Sequence, residues 1–86
     1  MDINELIAIV KKKLKNEIKI EEIIIEDKSF LHKKHSSHQE GKFHLKLRIC
    51  SKELKQINRL ESNKKIYKIL NKEMREDIHS LQILIS

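Results

Sequence analysis

Five histidines and one cysteine supply the nitrogen and sulfur donors of this chain. His32, His35 and His38 recur at every third position, His44 follows them, and His79 stands alone near the C-terminal end. A His-x-x-His-x-x-His run puts its rings on one face only if the segment coils, and structural zinc sites usually add cysteine. By pattern alone the triplet reads equally as a polar, solvated segment. His79, taken by itself, reads most simply as a histidine satisfying local hydrogen bonds. Cys50 is the one thiol, so no disulfide can form within the chain, and a reducing compartment such as the cytosol is expected. Gly-rich phosphate loops, nucleophile elbows and paired-carboxylate motifs are absent from the sequence, so an enzyme is not expected.

Charge offers a second kind of chemistry. The net charge is +6, and lysine supplies sixteen of the nineteen basic residues. A basic domain attracts polyanions at long range. Lysine acts as a point charge and lacks the guanidinium fork that reads guanine, so contact with phosphate is favoured over base reading. Lys64, Lys68, Lys72 and Arg75 recur along one predicted helix and could lie along a nucleic-acid backbone. Only Phe30, Phe43 and Tyr67 are aromatic, too few for base stacking. The single glycine, Gly41, rules out a G-x-x-G clamp on a single strand.

The elements that position these residues follow from periodicity. Eighty-six residues make one small domain. Absent proline and a lone glycine argue for regular elements throughout. Residues 2 to about 15 form a helix: Asp2 and Glu5 have capping-box spacing, and Ile3, Leu6, Ile7, Val10 and Leu14 fall on one face. The β-branched run over residues 18–26 predicts a strand, weakened by Glu21-Glu22. Residues 27–42 are polar, hold three of the histidines and predict a long, mobile loop.

Residues 43–50 are the clearest strand. Phe43, Leu45, Leu47 and Ile49 alternate with His44, Lys46, Arg48 and Cys50, so one face packs on helices and the other is wet. His44 falls on the polar face and reads as structural or surface. Ser51 can cap a helical turn over residues 52–55. A main helix is predicted near residues 60–75, with Ile66, Leu70 and Met74 stacked at i, i+4, i+8 and Tyr67 beside them. A last strand runs over residues 78–85, with His79, Leu81, Ile83 and Ile85 on one side. The order is α-β-β-α-α-β, an α+β fold with a three-stranded mixed sheet and helices over one face. The apolar runs are too short to span a bilayer.

From His44 to Leu81 the spacing resembles the BolA family. The matching features are His44 ahead of the strand's apolar positions, Ser51 after it, Tyr67 and Leu70 in the helix, Glu73-Met74 at its end, and Ile78-His79-Ser80-Leu81. A looser match extends through I-I-I-E-D-K-S-F-L-H. The resemblance implies a fold similar to the class II KH arrangement. It also implies pairing with a monothiol glutaredoxin and a shared [2Fe–2S] cluster, with the partner and its glutathione providing thiolates. His79 then corresponds to a cluster ligand. A second ligand, His or Cys, is implied in the loop between the first two strands: His32 is favoured, then His35, with His38 also available. Cys50 sits at a strand end outside that loop and is read as inert.

Some bacterial members are described as DNA-binding transcription regulators of morphology and stress responses. That gives the alternative expectation, a DNA-binding role for the basic helix. One departure stands out. The family usually carries an Arg-His-Arg-like cluster where this chain has Ser62-Asn63-Lys64. Phosphate or partner binding by that cluster is therefore weakened or moved.

Overall fold

The computed structural model describes residues 2–29 and 42–86. Helix α1 covers Ile3–Glu17, and Asp2 caps it by accepting the Glu5 N–H at 2.8 Å. Strand β1 covers Glu22–Asp27 and β2 covers Phe43–Cys50. Three helices follow: α2 over Lys52–Lys55, α3 over Arg59–Ile69 and α4 over Asn71–Glu76. Strand β3, Ile78–Ile85, ends the fold. The sheet order is β1-β2-β3, with β1 antiparallel and β3 parallel to the central β2. This is the mixed three-stranded sheet expected from the sequence.

The alternation along β2 decides the two faces. Leu45, Leu47 and Ile49 are buried and meet Leu6, Val10 and Leu14 of α1 and Ile66 and Leu70 of the later helices. Each such side chain stabilises the fold by roughly 1.5–3 kcal/mol relative to exposure. The helices therefore cover one face, and Lys46 and Arg48 project from the other.

Ser51 is a junction between elements. Its buried hydroxyl donates to the Lys19 carbonyl at 2.8 Å and accepts the Leu54 N–H at 3.2 Å. Its own N–H reaches the Ser86 carbonyl at 3.1 Å. One residue thus fixes the start of α2, the link after α1 and the end of β3.

Two expectations need correction. Strand β1 starts at Glu22, not at residue 18: Ile18 is the extended cap of α1, its side chain buried, and Lys19 is held by Ser51. The expected main helix is two helices. Leu70, at φ −95° and ψ 18°, ends α3 and starts α4 while its side chain stays fully buried. Tyr67, beside the Ile66 and Leu70 stack, is 40% exposed, and its hydroxyl donates to the Leu81 carbonyl at 3.3 Å.

Candidate functional site

The site forms where β2 and β3 begin side by side. Phe43 pairs with Ile78, but His44 pairs with Ser80, so His79 is an extra residue on β3. This is a β-bulge, a device that re-aims a side chain. Ile78 is 1% exposed in the core, and Leu81 packs against the same core opposite Leu45. Strict alternation cannot turn both inward across three positions. The bulge resolves this by giving His79 and Ser80 together to the open face.

His79 is consequently exposed, and its ring lies 4.8 Å from the His44 ring, centroid to centroid, tilted by 54°. The expectation that His79 shares a side with Leu81, Ile83 and Ile85 is overturned by this extra residue.

His44 is held tightly. Its N–H donates to the Ser29 hydroxyl at 3.1 Å, and its carbonyl accepts the Lys28 N–H at 2.7 Å. The Asp27 carboxylate in turn accepts the Ser29 N–H at 2.9 Å. The His44 Nδ1 lies 2.6 Å from the Ser80 hydroxyl, donating or accepting according to tautomer. With only 6% of its surface exposed, His44 is structural and not a surface residue. It forms a fixed wall beside His79. Sequence reasoning singled out His79 but gave His44 no part in the site, because the two are neighbours only through the parallel pairing.

The other candidates fall into separate groups. His32, His35 and His38 lie outside the described residues. Cys50 is a free, half-buried thiol at the far end of β2. It lies six positions beyond His44, about 20 Å along a strand, so it belongs to another region. Lys64, Lys68, Lys72 and Arg75 are all exposed. The break at Leu70 places the first pair on α3 and the second on α4, so they do not form one continuous stripe.

Ser62, the first residue of the departure noted above, is buried and donates to the Leu54 carbonyl at 3.0 Å. It joins α2 to α3, where a long cation would not fit. Lys65 is paired with Glu53 at 3.2 Å, and Lys13 holds the buried Glu73 at 2.6 Å.

A family model described as BolA-like protein matches residues 14–86. The chain belongs to the BolA family. A relative named DNA-binding transcriptional regulator BolA, from Haemophilus influenzae, is 31% identical over 75 residues, covering 87% of this chain and 70% of that protein. Among solved structures, the BolA domain of SufE1 from Arabidopsis thaliana superposes with a TM-score of 0.77 at 26% identity, covering 92% of this chain and 87% of that one. BolA1 from Arabidopsis thaliana gives a TM-score of 0.75 at 27% identity, covering 91% and 86%. This BolA-like chain thus has the family's α+β fold. Among its described residues, no helix is long and apolar enough to cross a membrane.

Proposed function

We propose that this BolA-like protein is a non-catalytic accessory protein that pairs with a monothiol glutaredoxin and lends His79 to a shared [2Fe–2S] cluster. The observation that carries this reading is the bulge, which lifts His79 out of the sheet's alternation and presents its imidazole on the open face beside His44. The donors present fit the group: imidazole replaces thiolate on one iron in known [2Fe–2S] centres, and a glutaredoxin with glutathione supplies sulfur. The cluster, when bound, supplies one-electron redox chemistry.

This chain's own part is presentation. Ser80 fixes the His44 ring, and His44 limits where the His79 ring can turn. His32, or next His35, would supply the second donor from the segment between β1 and β2. Cellular use of the pair is iron–sulfur trafficking or iron and redox regulation in the cytosol.

The test is to mix the protein with a cluster-loaded monothiol glutaredoxin and record visible absorption and circular dichroism. A changed spectrum and a heterodimer on gel filtration are expected, and His79→Ala should fold normally yet lose the spectral change. No complex and no change with the unmodified protein would defeat the proposal.

DNA binding is the second reading. It is favoured by the name of the Haemophilus relative and by the exposed Lys64, Lys68, Lys72 and Arg75. Contacts from these side chains would be to phosphate, so affinity would be nonspecific and salt-sensitive.

A further inference from the structure

Among the described residues, strand β3 has a sheet neighbour on one side only. The phase of its backbone follows from its last hydrogen bonds. The Ser86 N–H donates to the Ile49 carbonyl at 2.8 Å, and the Ser86 carbonyl accepts the Ser51 N–H at 3.1 Å. In a parallel ladder, alternate residues turn both backbone groups to the same side. Gln82 and Leu84 therefore face β2, and Leu81, Ile83 and Ile85 face outward. The Tyr67 hydroxyl donates to the Leu81 carbonyl, as an outward-facing group requires. Tyr67 thus covers the first part of the edge. Beyond it, among the described residues, no loop backbone or side chain pairs with the outward groups of Ile83 and Ile85.

A groove of about 250 Å³ runs beside this open stretch. Leu54, Ile57, Ile83 and Ile85 give it apolar walls, and Lys55 and Arg59 give it positive charge. No acidic side chain among the described residues lines it. The 11-residue helix α3 begins at Arg59, so the positive end of its dipole lies at the same place. An open strand edge invites another backbone, and proteins normally protect such edges.

We propose that this groove binds an extended acidic peptide of a partner protein, which adds as a fourth strand beside residues 83–85 of β3. Backbone pairing with Ile83 and Ile85 gives the peptide its direction, and every second side chain enters the groove, some against its apolar wall and some toward its cations. The acidic residues of that groove-facing set meet Lys55 and Arg59. Charge selects this occupant over a second copy of the chain, which would bring Lys55 and Arg59 against their own equivalents. It is favoured over single-stranded nucleic acid because, among the described residues, no aromatic side chain lines the groove for base stacking. Leu84 lies five residues beyond His79, about 16 Å along the strand. The peptide and the imidazole site can therefore be occupied together, and neither proposal depends on the other.

The test uses the full chain and a fluorescein-labelled heptapeptide, Asp-Thr-Val-Thr-Val-Thr-Asp, whose aspartates and valines share one face of a strand. Fluorescence anisotropy should show saturable binding, and the same peptide with lysine in place of aspartate should not bind. N-methylation of one alternate set of peptide amides should abolish binding, while methylation of the other set spares it. Lys55→Glu with Arg59→Glu, both exposed positions, should weaken binding by about tenfold or more with an unchanged circular dichroism spectrum. Amide exchange at Ile83 and Ile85 should slow on binding. The proposal is overturned by absent binding, or by binding indifferent to N-methylation or to the charge reversal. It is also overturned if an eight-residue oligothymidylate protects the same two amides, or if sedimentation shows that the chain covers this edge by dimerising.

Discussion

Replacing Ser51 by alanine should destabilise the protein more than its size suggests. The Ser51 hydroxyl makes two bonds, capping α2 at the Leu54 N–H and holding the Lys19 carbonyl. Losing a helix cap costs about 1 kcal/mol, and losing a hydrogen bond of this kind costs about 1 kcal/mol more. The total is about 2 kcal/mol, because the buried Leu54 N–H has no water to turn to. A domain of 86 residues has a total stability of roughly 4–13 kcal/mol at typical values per residue. In a domain of this size each kcal/mol moves Tm by roughly 4–8 °C, so Ser51→Ala should lower it by about 8–16 °C.

Asn58→Ala provides the comparison. Asn58 caps α3 by accepting the Glu61 N–H at 2.8 Å but is exposed and, among the described residues, makes no second bond of this kind. It should cost only the cap, about 1 kcal/mol. Calorimetry on both variants measures the difference. If Ser51→Ala lowers Tm no further than Asn58→Ala, the reasoning that Ser51 joins two elements is wrong.

Other perturbations test other parts of the structure. Ser62→Arg, which restores the family's usual cation, should lower stability by about 3 kcal/mol or more, since the position is buried; an unchanged urea midpoint would contradict this. The Glu26 carboxyl is held below the usual carboxylate range, chiefly by the Lys28 ammonium and then by the charge of Arg48. A lowered folded-state pKa means stability that is present above the unfolded value and lost as pH falls through the folded one. Lys28→Met should therefore flatten the acid limb of the stability curve below about pH 4.3 and leave its slope near pH 7 unchanged. If duplex DNA binds through Lys64 and Lys68, changing both to glutamine should reduce the slope of log affinity against log salt by about 1.8. An unchanged slope would place the phosphates elsewhere.

Much of the architecture is legible without coordinates because it rests on local chemistry. Asp2 and Ser51 carry capping groups at the correct distance from their targets, and both bonds form. The strict alternation of β2 predicts a core face, and Leu45, Leu47 and Ile49 occupy it. The element order and mixed sheet follow from the same patterns. The break at Leu70 was not legible: both sides of it have helical period, and the backbone departs from helix while the side chain stays in the core. Ser62 looked like a missing cation, and only its contact with Leu54 shows it to be a packed junction.

For the candidate site the division is sharper. The sequence by itself determined that a histidine opens the last strand, that the chain is basic, and that the spacing from His44 to Leu81 follows one family. It could not determine where His79 points. Period-two reading assigns it to the side of Leu81; the odd spacing of Ile78 and Leu81 marks a break in alternation, but one strand alone does not say which residue is the extra one. Register is a property of two strands. Only the pairing of Phe43 with Ile78 and of His44 with Ser80 reveals the extra residue. That pairing turns His79 to the open face and brings it to His44, a residue far away along the chain. Tertiary structure decided the site because the buried positions of Ile78 and Leu81 left His79 no inward place to go.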